Sequence, residues 1–379
     1  MVKPDPGKGE VAEETLAEYF RAAGFFAVRG IPFRHEGADL TDLDVWLYER
    51  GAGVSRRRFI VDSKNKKTPK VVERLFWTSG LRDALELDGA FVASTSPREE
   101  TQKIARRVNV ALIDVTALTR ANGGEEINSK SRLSKEDIDR FLASMDKEHE
   151  SKLWRSTRDD VVASVIMAFG GGTANVALRA AKFYAEQALS SAPGSRTREI
   201  AQRMLYFALA FAAISLDFIS ARNAFQPIAH RKADLEDTLR FGTDPDETKR
   251  RITLAVDLVR GYLPNGPAIS NQLRSKIDAA TAQMPVDIIA DVVMKMAGKG
   301  HLFEAGRTLE RAAYEAQVPA LSALTTDARS FSGATFDFFG LDRVKMSEAL
   351  KAGTSSKTEA GADQKEEVAL SLFGTESKK

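Results

Sequence analysis

Residues 59–64 read Phe-Ile-Val-Asp-Ser-Lys, three apolar residues running into an acid and a base one residue apart. A short apolar run of this kind is read as a buried strand. Residues two apart on an extended strand project from one face, so Asp62 and Lys64 should stand side by side. A carboxylate there can hold a divalent cation. An ammonium beside it can neutralise charge developing on a phosphate and assist the attacking water. The same acid-x-lysine spacing recurs at Glu150-Ser151-Lys152, Glu247-Thr248-Lys249 and Asp363-Gln364-Lys365. Those three lie in helical or polar-tail surroundings, and only residues 62–64 leave a strand.

Working outward, Asp44 opens the preceding strand, Asp-Val-Trp-Leu-Tyr, where a hairpin neighbour of Asp62 could present it; Asp42 is the alternative. Both also suit the turn that starts a strand. Further upstream, Ala12, Leu16, Phe20 and Ala23 recur at helical spacing before Gly24. Glu13 shares a face with Leu16, Ala17 and Phe20 and so points toward the sheet, with Glu10 one turn earlier as its alternative. Glu13 equally suits a plain acid favoured by the start of a helix. Glu14 and Glu18 fall with Arg21 on the outer stripe and read as surface residues.

Downstream, residues 70–87 read as a helix entered through Pro69, followed by a strand at Gly-Ala-Phe-Val-Ala-Ser-Thr, a helix over 97–108 and a strand at Val-Ala-Leu-Ile-Asp-Val. This β-α-β-α-β alternation implies parallel pairing in a sheet covered by helices on both faces. Arg56, Arg57, Arg58, Lys64, Lys66, Lys67, Lys70 and Arg74 crowd into one short region, as a polyanion-binding patch or a solvated face would.

A helix with a glutamate, a strand aspartate and a strand Asp-x-Lys together resemble the PD-(D/E)xK nuclease superfamily, and within it the Mrr-like restriction endonuclease domain. Gly9, Glu13 and Gly24-Phe25 fall at spacings similar to that family's opening elements, Asp44-Val45 resembles its aspartate before a hydrophobic residue, and Asp62-Ser63-Lys64 its acid-x-lysine element. The likeness covers about residues 8–118. It departs from the pattern at Leu43, where the family often has proline, and at Ala12, where an aromatic is common. The resemblance implies an α/β restriction-endonuclease-like N-terminal domain, a central mixed sheet flanked by helices, hydrolysing phosphodiester bonds with Mg²⁺ (or Mn²⁺). Glu13, Asp44, Asp62 and Lys64 would be catalytic, with Asp44, Asp62 and Glu13 on the metal. Lys66, Lys67 and Lys70, with Arg57 and Arg58, are candidates for backbone phosphate contacts. The expected function is a nuclease acting on nucleic acid, DNA first, in restriction, defence or repair. The competing expectation is a nucleic-acid-binding or scaffold protein with a nuclease-like fold and no activity.

The 379 residues suggest two folded units: a nuclease-like domain over 1–120, a polar linker over 121–133, an all-α domain over 134–352 and a disordered tail over 353–379. Breaks between helices are expected at Gly-Gly-Gly-Thr, Ala-Pro-Gly-Ser, Gly-Thr-Asp-Pro-Asp and Tyr-Leu-Pro-Asn-Gly-Pro. The first of these lacks the lysine of a phosphate loop. The most apolar stretch, residues 204–219, contains Asp217 and reads as a buried helix. The absence of cysteine excludes a disulfide framework and thiolate zinc sites, the four scattered histidines argue against an imidazole site, and no apolar run follows the first lysines. A cytoplasmic location is the expectation. The helical domain could support a homodimer. In the tail, Ala369-Leu370-Ser371-Leu372-Phe373 resembles the short peptide by which bacterial replication and repair proteins dock on the sliding clamp, with Leu370, Leu372 and Phe373 as anchors and alanine in place of the usual glutamine. A terminal helix docked on the protein's own surface is the alternative.

Overall fold

The computed structural model describes residues 8–35, 38–63, 71–95, 98–115 and 132–351. Its first part runs α1 (Lys8–Ala22), β1 (Phe26–His35), β2 (Ala38–Arg50), β3 (Arg56–Ser63), α2 (Val71–Ala84), β4 (Gly89–Ser94), α3 (Glu99–Arg107) and β5 (Ala111–Asp114). The five strands form one mixed sheet in the order β1-β2-β3-β4-β5. The first three make an antiparallel meander, and β3, β4 and β5 run parallel, joined by α2 and α3. The parallel pairing expected from the late alternation is therefore present. Pro32 is accommodated because β1 is an edge strand.

Strand alternation gives the sheet two apolar faces. Ala27, Val45, Leu47, Val61 and Ala93 receive Leu16, Ala17 and Phe20 of α1. Phe26, Trp46, Tyr48, Ile60 and Val92 join a larger core that includes Leu75 of α2, Ala105 of α3 and much of the helical region. That region comprises α4 (Lys135–Glu148), α5 (Leu153–Met167), α6 (Gly171–Ser190), α7 (Arg196–Arg222), α8 (Ile228–Phe241), α9 (Pro245–Tyr262), α10 (Gly266–Ala282), α11 (Val286–Met296), α12 (His301–Tyr314), α13 (Thr326–Phe339) and α14 (Arg343–Ala349), with two short 3₁₀ turns. Helix starts follow local chemistry. Ser134 and Asp137 form a reciprocal capping box on α4, and Asp244 caps α9 just ahead of Pro245. Each expected glycine or proline break lies at a junction of two helices, with residues 171–173, 245–246 and 266–267 already in the first turn of the helix that follows.

The centre of this region is α7, 27 residues long and buried from Ile200 to Asp217. It is long and apolar enough to span a membrane, yet most of its apolar window lies inside the protein, as in a core helix. Its alanines let neighbours approach closely, and Gly306 of α12 leaves room for Ile214, whose Cδ1 would lie 2.9 Å from an added Cβ. Phe211 meets Phe26 of β1 edge-on, with ring centroids 5.5 Å apart.

Two charge clusters tie the sheet to these helices. The Asp217 carboxylate, fully buried, accepts from Tyr48 Oη at 2.7 Å and Arg56 Nε at 2.6 Å, and also from Arg50. Around α1, Arg21, Arg29 and Arg132 face Glu13, Glu14, Glu18, Glu136 and Glu310. Two readings of the sequence are corrected here. Glu14 and Glu18 are not plain surface residues, because Arg132 and the Glu310 helix, α12, cover that stripe of α1. The basic patch is also dispersed: Arg56 is consumed by Asp217, and Arg74 by Asp62. Arg132 and Leu133 belong to the folded part; the rest of the expected linker at 121–131 and the tail from 352 lie outside the described residues.

Candidate active site

Asp44 and Asp62 occupy neighbouring strands. The β2/β3 register pairs Val45 with Val61, so one further step sets Asp44 opposite Asp62. One oxygen of Asp44, Oδ2, accepts the backbone N–H of Ser63 at 2.6 Å, which fixes the carboxylate at the end of β3. On the other side of β2, Arg29 pairs with Val45 and Ile31 with Leu43, so Gly30 lies opposite Asp44. Gly30 has φ +59, and Lys135 of α4 packs where its side chain would be, with Cε 3.0 Å from an added Cβ. A side chain there would meet both a left-handed backbone and an occupied space.

Asp62 shares a strand face with Ile60, the side on which α2 packs. There Arg74 donates from Nε to Asp62 Oδ2 at 2.6 Å, and its Nη2 pairs with Oδ1. Burial lowers the pKa of Arg74, while the carboxylate of Asp44 acts to raise it. Arg74 therefore lies within electrostatic reach of both aspartates. Glu13 enters from α1, paired with Arg29 Nη2 at 3.2 Å. Burial raises its pKa, the nearby Asp44 charge raises it further, and Arg29 opposes both. Asp44 is thus set opposite Asp62 across the strands, and Glu13, from α1, senses the Asp44 charge.

The donor chemistry suits a hard cation. All three groups are carboxylates, and repulsion between Glu13 and Asp44 is what a divalent cation would relieve. Among the described residues, no group of three or more His, Cys, Asp or Glu side chains is drawn together as a ready metal cage. Mg²⁺ does not require one, because it is commonly held by one or two carboxylates with water and substrate phosphate completing the shell. Asp44 and Asp62 are donors of that type, with both oxygens of Asp62 engaged by Arg74.

The remaining candidates divide. Lys64, Lys66, Lys67 and Lys70 lie outside the described residues, as do Leu370, Leu372 and Phe373. Arg57 and Arg58 are on β3 but four to five residues from Asp62, roughly 15 Å along a strand. Arg57 pairs with Glu49 at 2.8 Å. Arg58 donates to the Glu86 carbonyl at 2.7 Å and lies over the rings of Phe169 and Phe218. The structure does not bring these two arginines to the aspartates. Asp42, the alternative to Asp44, pairs with Pro32 near the start of β2. A cavity of about 750 Å³, lined by Glu18, Arg21, Arg132, Arg307 and Glu310 among others, opens beside the C-terminal half of α1, away from the aspartates.

Two participants were not singled out from sequence. In the sequence Arg74 is one member of a basic run, and Arg29 is a lone arginine with no acid near it in the chain. The signal for Arg74 was its place in the first turn of the helix that returns from β3, since such a turn passes over the end of the strand it leaves. Comparison with protein-family models, with curated proteins and with solved structures gave no match to this chain.

Proposed function

We propose that this chain is a Mg²⁺-dependent nuclease that hydrolyses phosphodiester bonds, in DNA first, with Asp44, Asp62, Lys64 and Glu13 as its working residues. The observation that carries the reading is the placement of Asp44 opposite Asp62 at the end of a buried strand, two residues before Lys64. Asp44 and Asp62 are the residues that would hold Mg²⁺ or Mn²⁺, with Glu13 completing the shell. A cation bound there polarises a phosphate oxygen and lowers the pKa of water. The hydrogen bond from Ser63 N–H keeps Asp44 aimed without reorganisation during the reaction. Lys64, by its spacing from Asp62, is assigned to the attacking water and the charge developing on the phosphate. Water oxygen bonds to phosphorus as the bond to the leaving oxygen breaks; the attacking water gives up one proton to solvent and the leaving oxygen takes one up from solvent. Arg74 balances the acid pair before substrate arrives. Restriction, defence and repair are all compatible roles, and the homodimer and the clamp-binding tail belong to this proposal as well.

Incubation with supercoiled plasmid tests the reading. Nicking in Mg²⁺ that vanishes with EDTA and with Asp62→Asn supports it; absence of nicking, or nicking unchanged by the substitution, contradicts it. One observation favours a second reading, a nuclease-like scaffold without activity: both oxygens of Asp62 are engaged by Arg74.

A further inference from the structure

Helix α2 turns its aromatic residues outward. Phe76 and Trp77 are 59% and 50% exposed, and neither makes a ring contact among the described residues. Val72, one turn before Phe76, is also exposed. Leu75 and Thr78 already supply the buried side of α2, so the outer rings are not needed for packing. Trp77 lies three residues after Arg74, which places the two on adjacent turns of one helix side, and Arg74 holds Asp62. An exposed indole therefore stands one helical turn from the residue that touches the proposed site.

We propose that Trp77, with Phe76 beside it, stacks on unpaired bases of a single-stranded or splayed nucleic acid whose backbone passes the Asp44–Asp62 site. This rests on the nuclease reading above and narrows its substrate class. Flat, sequence-tolerant stacking beside cations is how single strands are gripped, because every base has a π face. The surrounding charge suits a phosphate backbone. Helix α3, whose end is anchored by Ser79 and Arg82 of α2 to the carbonyls of Val108 and Asn109, finishes in exposed Arg106 and Arg107. A bases-paired duplex keeps its rings stacked on each other and offers none to Trp77. Self-association through these rings fits less well. Two half-exposed aromatics and a valine present on the order of 200–300 Å², against roughly 800 Å² per partner in a stable interface.

The protein carries its own reporter. Of its three tryptophans, Trp46 and Trp154 are buried and Trp77 alone is exposed. The full chain is titrated in EDTA, so that nothing is cut, with oligo-dT, oligo-U and a duplex of equal length. Saturable quenching of tryptophan emission by either single strand, with weaker quenching by duplex, is the expected result. Anisotropy of a labelled single strand should then show roughly tenfold weaker binding for Trp77→Ala and for Phe76→Ala, with Trp77→Phe close to the parent. Melting curves of the alanine variants should match the parent, since neither ring is buried. Duplex binding as tight as single-strand binding, or unchanged affinity in both alanine variants, overturns the proposal. So does a dilution-sensitive dimer that Trp77→Ala abolishes, which would make the surface a self-association face. Single-strand binding through Trp77 with no cleavage of any strand in Mg²⁺ would defeat the nuclease reading and leave the stacking surface standing. Cleavage of single strands that persists in Trp77→Ala with unchanged KM would do the reverse.

Discussion

Arg74 closes on Asp62 from twelve residues away, Nε to Oδ2 at 2.6 Å, across the connection from β3 to α2. A guanidinium on a carboxylate that is expected to ligate a metal is a competitor for that metal. Arg74→Ala should therefore tighten Mn²⁺ binding several-fold in a calorimetric titration, whereas Asp62→Asn should abolish it. Weaker Mn²⁺ binding in Arg74→Ala would mean that the arginine organises the acids instead of competing for them.

Glu13 gives a pH signature. Its folded-state pKa is raised above the ordinary 4.5 by burial and by Asp44, so folding favours its protonated form. The stability this contributes is fully present below the unfolded-state pKa and is lost as pH rises through the folded value. Glu13→Gln keeps the neutral form at every pH. It should raise the denaturation midpoint at pH 7.5, and the gain should shrink as pH falls to about 4. An equal gain at both pH values would show that charge on Glu13 has no part in it.

The strands from β2 onward, the order of their elements and the pairing of Asp44 with Asp62 are legible because each follows from alternation and spacing within about twenty residues. The ion pairs are not. Arg56 reads as one of a basic run, yet its partner, Asp217, is 161 residues away. Glu14 and Glu18 look like a solvated stripe until α12 brings Glu310 over Arg21 and Arg132. No local pattern encodes which helix of a distant region will cover a surface, so charged residues at such junctions are misread as exposed.

Asp217 is the clearest test of that junction. It is fully buried between Arg50 and Arg56, whose side chains are themselves largely covered. Asp217→Ala would strand two guanidinium groups and the Tyr48 hydroxyl, a loss of about 3–5 kcal/mol by analogy with broken buried pairs. Urea denaturation followed by circular dichroism measures it. A cost under about 1 kcal/mol would mean that water reaches the arginines freely.

Gly30 sits opposite Asp44 with φ +59 and Lys135 packed against it. Gly30→Ala should cost roughly 1–3 kcal/mol from backbone strain and crowding together. The same denaturation assay checks it, and a neutral or stabilising effect would show that β1 can straighten at no cost.

Hydrolysis of phosphodiester bonds by Asp44, Asp62 and Lys64, as proposed, is open to direct assay. The most direct measurement offers duplex DNA, single-stranded DNA and RNA to the full chain, with and without Mg²⁺, beside Lys64→Ala. Mg²⁺-dependent cleavage of at least one substrate is expected, with a loss of a hundredfold or more on substitution, on the order of what a positioned charge contributes to a transition state. No cleavage under any condition, or cleavage that Lys64→Ala leaves untouched, contradicts it.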